Sequence, residues 1–207
     1  MSTAEPSIDA AAERSDLVRR ALELAREAHA GQVRNASGGR PYIDHPVAVA
    51  AQLIDHGCSD EVLAAALLHD VVEDSELEVE DIRAAAGERV AEIVAALSDD
   101  EGIDTYEERK REHRGRVEAA GPDALTIYVA DKLTNVEMLR DAYSDQREEI
   151  ADELKVPLDV KVAVWEADLA MVAENAGAES PAGALARRLS AQLSSLRADR
   201  AAAGPRS

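Results

Sequence analysis

The stretch Ala66-Leu67-Leu68-His69-Asp70-Val71-Val72-Glu73-Asp74 closes an apolar run with one imidazole and three carboxyls, and no basic residue stands among them. On a continuous helix, residues four apart share a face, so His69 lies beneath Glu73 and Asp70 beneath Asp74. Three carboxylates on neighbouring turns repel one another unless a cation sits among them. Histidine next to aspartate supplies a nitrogen and an oxygen ligand, a donor pair suited to a divalent transition ion. Two ligands do not make a site, and a helix end breaking into solvent has the same composition.

Two further stretches supply candidate ligands. In Pro41-Tyr42-Ile43-Asp44-His45-Pro46, Pro46 biases His45 away from helical angles and holds it at a helix entrance, as a preorganised ligand requires. The alternative for His45 is a turn residue with no partner. In the helix predicted around Leu125–Asn135, Leu125, Val129, Leu133 and Val136 form the core stripe, and Tyr128, Asp131, Lys132 and Asn135 form another face. A buried aspartate that loses its partner costs roughly 3–5 kcal/mol, so Asp131 needs either a cation or Lys132. His45, His69, Asp70 and Asp131 together offer two nitrogens and two carboxylates, with water or a phosphate oxygen completing an octahedron. That set suits Mn²⁺, Fe²⁺ or Zn²⁺ better than Mg²⁺. Such an ion would polarise a phosphoryl oxygen and lower the pKa of bound water. Glu73 and Asp74, one turn on, are expected to face the same cavity, where one of them takes the proton from the attacking water.

These residues must be positioned by elements that the composition makes helical. The chain has 207 residues, enough for one domain with a real core, and it has no Phe and a single Trp, Trp165. With strand-favouring aromatics scarce, an all-α fold is predicted. Cys58, the single cysteine, excludes an internal disulfide and fits a reducing compartment. The longest apolar run, about residues 62–68, is too short to cross a bilayer, and residues 1–15 lack the apolar stretch of a signal peptide. A cytoplasmic protein with no membrane partner is expected.

Three divisions are predicted: a disordered tail at 1–15, a helical domain at 16–176, and a linker with a C-terminal helix at 177–207. Helices are expected near 16–30, from Pro46 at a first helical position to His56, and at 60–73, 78–85, 88–98, 103–120, 123–142 and 156–175, with an acidic segment at 145–153. Leu185, Leu189, Leu193 and Leu196 form a narrow stripe that docks either on the domain or on a second subunit, as in a homodimer. No internal repeat is visible, and no glycine-rich phosphate loop follows a strand.

A net charge of −19 repels DNA and RNA and excludes nucleic acid as a partner. It also repels free nucleotides, so a phosphorylated substrate needs a metal ion or a local basic patch. Arg109, Lys110, Arg111, Arg114 and Arg116 lie within eight residues and could supply such a counter-field, although a solvated helix face has the same pattern. Arg34 and Arg40, on the glycine-containing loop at 31–44, add candidate guanidinium contacts. Lys132 pairs with Asp131 or with a phosphate. Tyr42 stacks on a base or packs behind the His45 turn.

The order His45, His69-Asp70, Asp131 resembles the H…HD…D pattern of the HD-domain metallophosphohydrolases. His29-Ala30-Gly31-Gln32-Val33-Arg34, Pro41-Tyr42-Ile43-Asp44-His45-Pro46, Ala65-Ala66-Leu67-Leu68-His69-Asp70-Val71-Val72-Glu73-Asp74 and Ala130-Asp131-Lys132-Leu133-Thr134-Asn135 resemble the signature blocks of the RelA/SpoT-type (p)ppGpp hydrolases. Glu108-Arg109-Lys110-Arg111 resembles the basic segment of their small stand-alone members, and the likeness covers about residues 17–142. It implies a single all-α HD-domain bundle and a Mn²⁺-dependent 3′-pyrophosphohydrolase that converts ppGpp or pppGpp to GDP or GTP and pyrophosphate. By the same resemblance, His45, His69, Asp70 and Asp131 match the metal ligands. Glu73 and Asp74 match the acidic pair that orients or activates water. Arg34, Lys110 and Asn135 match substrate-contacting positions. About 65 residues follow Asp141, too few for the synthetase domain of bifunctional members, so a small alarmone hydrolase is expected. Thr134 replaces the usual histidine, Glu137 replaces the usual arginine, and Lys161 and Trp165 stand where small members carry an arginine and a tyrosine. Two alternatives stay open: an HD phosphohydrolase acting on another nucleotide such as NADPH, and a metal-bound sensor that binds nucleotide without turnover. The Glu73-Asp74 pair favours the alarmone hydrolase.

Overall fold

The computed structural model describes residues 7–35, 38–100, 102–145, 154 and 156–203. Among them the regular structure is helical, apart from an isolated antiparallel bridge between Val33 and Pro41. The helices are α1 (Ile8–Arg14), α2 (Asp16–Ala28), α3 (Asp44–Ile54), α4 (Asp60–Leu68), α5 (Val71–Asp74), α6 (Val79–Ala86), α7 (Glu88–Leu97), α8 (Tyr106–Ala120), α9 (Pro122–Asp145), α10 (Leu158–Asn175) and α11 (Pro181–Ala203). None of the described helices is long and apolar enough to cross a membrane.

The centre is α4. Every residue from Val62 to Leu68 is buried, as expected of a helix apolar on all sides. Ser59 caps its start by accepting from the Val62 N–H, and α2, α3, α7 and α9 surround it. With α4 at the core, its C-terminal end opens onto the interior face of α3 and α9.

Three expectations are corrected. Residues 8–14 are a helix, not a disordered tail: Ser7 accepts from the Ala10 N–H, and Ile8, Ala11 and Ala12 are buried against neighbouring helices. Two turns are too short to show a clear apolar period and are marginal alone, so tertiary burial decides the outcome. Residues 1–6 and the acidic stretch 146–153 lie outside the described residues. His45 is itself helical, because α3 begins at Asp44 and Pro46 sits inside the first turn. There the missing proline N–H would have no partner in any case, and burying His45 overrides the bias before proline. The helix expected over 60–73 is also broken: α4 ends at Leu68, and Asp70 lies at φ −96°, ψ −6° before the single turn of α5.

The C-terminal stripe docks within the chain. Leu185, Leu189, Leu193 and Leu196 are all buried as α11 packs along α9. Arg140 of α9 meets Asp199 at 3.0 Å, and Glu137 meets Arg188 at 3.1 Å. Glu137 thus serves the helix contact, and Thr134 accepts from Gln52 of α3 at 2.7 Å. Gly183 admits the close approach of α11 to the preceding turn, since a Cβ there would run into the carbonyl oxygens of Gly177 and Ala178. The homodimer expectation rested on this stripe, which the domain itself covers.

Candidate metal centre and catalytic cleft

Three helices deliver the ligand candidates to one point: α3 supplies His45, the end of α4 supplies His69 and Asp70, and the middle of α9 supplies Asp131. His45 Nε2 lies 3.0 Å from Asp131 Oδ1 and 3.6 Å from Asp70 Oδ2. His69 Nε2 lies 3.1 Å from Asp70 Oδ1 and 3.8 Å from Asp131 Oδ1. Ligand atoms of His45, His69 and Asp131 all fall within 4.8 Å of one another.

The donor atoms fit a cation. Nδ1 of His69 donates to the Ala66 carbonyl at 2.8 Å, which directs Nε2 at the cluster, where a cation would take the place of its proton. Nε2 of both histidines is buried without a hydrogen-bond partner among the described residues. Two imidazole nitrogens and two carboxylates converging in a buried spot suit a divalent transition ion. Burial, with Arg34 nearby, pushes His45 down to about 4. Burial also opposes a charge on His69, but Asp70 and Asp131 outweigh it and push that ring up to about 9. Burial likewise opposes charge on Asp70 and Asp131, yet the histidines beside Asp70 and Lys132 beside Asp131 hold both below the usual carboxylate range. Lys132 meets Asp131 Oδ2 at 2.7 Å while Oδ1 faces the imidazoles, so the lysine pairs with one oxygen and leaves the other to the cluster.

Glu73 and Asp74 line two adjoining cavities whose walls share Arg34, Tyr42, Asn135, Lys161 and Trp165. The break at His69-Asp70 offsets α5, and Glu73 lines a cavity of about 200 Å³ with His69, Asp70, Asp131 and Lys110. Asp74 lines an adjoining cavity of about 230 Å³ with Arg34, Tyr42, Asn135, Lys161 and Trp165. Burial of the carboxyl and the charge of Asp70 push Glu73 up to about 7, although much of the residue's surface faces solvent. Its Oε1 accepts from the Asp99 N–H at 2.7 Å. Tyr42 neither stands free to stack on a base nor merely packs: its ring stacks on His29 at 4.5 Å and its hydroxyl reaches Asp70 and Asp74. Arg34 sits over the Tyr42 ring and donates to Asn135 Oδ1 at 2.5 Å, and Asn135 donates to Asp131 Oδ1 at 2.6 Å.

The basic run divides. Lys110 lines the smaller cavity, where its Nζ lies 2.5 Å from Asp99 Oδ2. Arg109 lies 3.5 Å from the same carboxylate, Arg114 meets Asp168 at 3.0 Å, Arg116 meets Glu112 at 2.8 Å, and Arg111 is exposed. A single helix cannot turn five nearby side chains to one cleft. Arg40 offers its backbone carbonyl to the Arg34 N–H at 3.1 Å. The remaining cations come from elsewhere: Lys132 from α9 and Lys161 from α10, the latter pushed down to about 8 by burial and by Lys110 and Lys132.

Sequence reasoning missed Asp99, His113 and Asp168. Asp168 is buried in the cavity wall and accepts from the Tyr128 hydroxyl at 2.9 Å. An acid at helical spacing among Val164, Trp165, Met171 and Val172 is the signal that marked Asp131.

Residues 21–156 match the family model described as HD domain. The chain is 35% identical over 153 residues to the guanosine-3′,5′-bis(diphosphate) 3′-pyrophosphohydrolase of Aquifex aeolicus, covering 72% of this chain and 22% of that protein. It is 36% identical over 119 residues to the Mus musculus protein named guanosine-3′,5′-bis(diphosphate) 3′-pyrophosphohydrolase MESH1, covering 56% of this chain and 65% of that one. The chain spans about a fifth of the length of the first curated relatives it matches. A solved structure described as a metazoan ortholog of SpoT that hydrolyzes ppGpp superposes with a TM-score of 0.69 at 26% identity, covering 86% of this chain and 96% of that one.

Proposed function

Because this chain belongs to the HD-domain family, we propose that it is a metal-dependent hydrolase that removes the 3′-pyrophosphate from ppGpp or pppGpp, releasing pyrophosphate and GDP or GTP. The observation that carries this is one cavity with two characters: it is lined by His69, Asp70 and Asp131 of the buried cluster that His45 completes, and by Lys110, Lys132 and Lys161.

His45, His69, Asp70 and Asp131 would hold the ion, Mn²⁺ by resemblance, with Fe²⁺ or Zn²⁺ compatible with the same donors. When bound, it supplies Lewis-acid polarisation of a phosphoryl oxygen and acidifies water. Glu73, raised to about 7 and lining the same cavity, takes the proton from the attacking water. Lys110 and Arg34 engage phosphate oxygens, and these local cations concentrate a polyanion despite the acidic surface. Asn135, between Arg34 and Asp131, joins the nucleotide contact to the metal side. Asp74 holds Tyr42, and through it the Asp70 carboxylate. The adjoining cavity, with Trp165 and Lys161, takes the nucleoside end.

Purified protein with Mn²⁺ and ppGpp should yield pyrophosphate and GDP in equal amounts. Hydrolysis of NADPH or ordinary nucleoside triphosphates in preference to ppGpp would overturn the substrate assignment. Tight nucleotide binding without any product would overturn the assignment as an enzyme.

A further inference from the structure

Asp99 is the first residue after the Ser98 cap of α7, and no motif marks it. Its side chain is 12% exposed, and one face of α8 converges on it: Lys110 Nζ at 2.5 Å, His113 Nδ1 at 2.8 Å and Arg109 Nε at 3.5 Å. An isolated surface ion pair contributes little, but here the charge-assisted hydrogen bond from Lys110 is joined by the Arg109 guanidinium and the His113 ring around one largely buried carboxylate, which anchors it. Burial opposes a charge there, and His113 and Lys110 outweigh it, holding Asp99 well below the usual carboxylate range. From this anchored residue the backbone N–H donates to Glu73 Oε1 at 2.7 Å.

Glu73 needs such a contact. It stands on the four-residue α5, a single turn beyond the break at Asp70, which has little rigidity of its own. A donor on one carboxylate oxygen orients the group and leaves the second oxygen directed at the cavity. We propose that Asp99 is a positioning residue, whose anchored backbone amide holds the Glu73 carboxylate in line with the attacking water. The Asp99 carboxylate also meets Lys110, so arrival of a phosphate at Lys110 and orientation of Glu73 pass through the Asp99 side chain. The proposal rests on the role given to Glu73 above.

Asp99→Ala keeps the amide but loses the anchor. Misplacing a catalytic group by about 1 Å can cost on the order of a hundredfold. The variant should bind Mn²⁺ like the parent by elemental analysis while kcat falls about 10- to 100-fold, and because the Lys110 ammonium is kept though released, KM for ppGpp should move less than in Lys110→Met. Asp99→Asn, which still accepts from Lys110, should recover part of that kcat. An unchanged kcat in Asp99→Ala, or loss of metal in step with activity, would overturn the assignment. Amide hydrogen exchange supplies a readout independent of turnover: the Asp99 N–H should exchange slowly in the parent protein and faster in Glu73→Ala, and equal rates would overturn the contact. If the parent released no pyrophosphate from ppGpp, the functional reading would fall, and the exchange rates alone would decide whether Asp99 holds Glu73.

Discussion

The Tyr42 hydroxyl reaches Asp70 Oδ2 at 2.9 Å, across 28 residues of sequence. The same oxygen lies 2.5 Å from Asp74 Oδ2. Burial and the charge of Asp70 push the phenol far above its ordinary value, so the proton stays on oxygen at any working pH. Partners behind a ligating carboxylate fix its orientation, and their loss typically weakens metal affinity about 10- to 100-fold. Tyr42→Phe should therefore remain folded and bind Mn²⁺ more weakly by that factor, measured by titration against a competing chelator. An unchanged affinity would remove Tyr42 from the support of the metal centre.

Glu73 predicts the acid limb of the reaction. Its carboxyl is raised from 4.5 to about 7, and a general base works only when deprotonated. The sign follows: kcat falls as pH drops through the Glu73 pKa, about tenfold per unit. A bound cation favours the carboxylate, so the limb should lie between 4.5 and about 7 in the metal-loaded protein. Glu73→Gln should keep the metal and lose about 100- to 10,000-fold in kcat. A parent profile that rises on acidification through that window would show that another group takes the proton.

Lys110 and Arg111 are neighbours in sequence with different expected effects. Lys110 lines the cavity and meets Asp99, whereas Arg111, the next residue along α8, is exposed. Lys110→Met should raise KM for ppGpp about 10-fold or more, in keeping with loss of a charge-assisted contact. Arg111→Ala should change neither KM nor kcat beyond about twofold. Equal effects from the two would mean that the whole run acts as a diffuse field, not through one placed ammonium.

Where the sequence was informative, the reason was chemical cost. Asp131 stood out because an acid inside an apolar helix must be compensated, and Lys132 with the imidazoles does this. His45 was legible beside Pro46, but the backbone argument gave the wrong angles, since a proline in a first helical turn forfeits no hydrogen bond. The Glu73-Asp74 pair was legible as two acids near the cluster, but its spread over two adjoining cavities was not: apolar periodicity runs through residue 72 and carries no sign of the break at Asp70. Lys110 could not be told from Arg109 or Arg111, because selecting one cation needs the rotation of α8 about its axis, which Val117 and His113 set through packing. Asp99 left no signal, since its contribution is a backbone N–H fixed by side chains that follow 10 to 14 positions later.

The ligand cluster also predicts a thermal signature. Without an ion, Asp70 and Asp131 face each other's charge across two imidazoles, with Lys132 and Arg34 compensating in part. An ion that binds only the folded chain stabilises it by mass action, about 2.7 kcal/mol at a hundredfold excess over Kd. For a domain of this size each kcal/mol moves Tm by about 2–4 °C, so Mn²⁺ added to chelator-stripped protein should raise Tm by several degrees. Asp70→Asn keeps the side-chain shape and an acceptor for Tyr42 but removes a charged ligand, and its Tm should barely respond to Mn²⁺. A rise in Asp70→Asn equal to that of the parent would place the stabilising ion somewhere other than among His45, His69, Asp70 and Asp131.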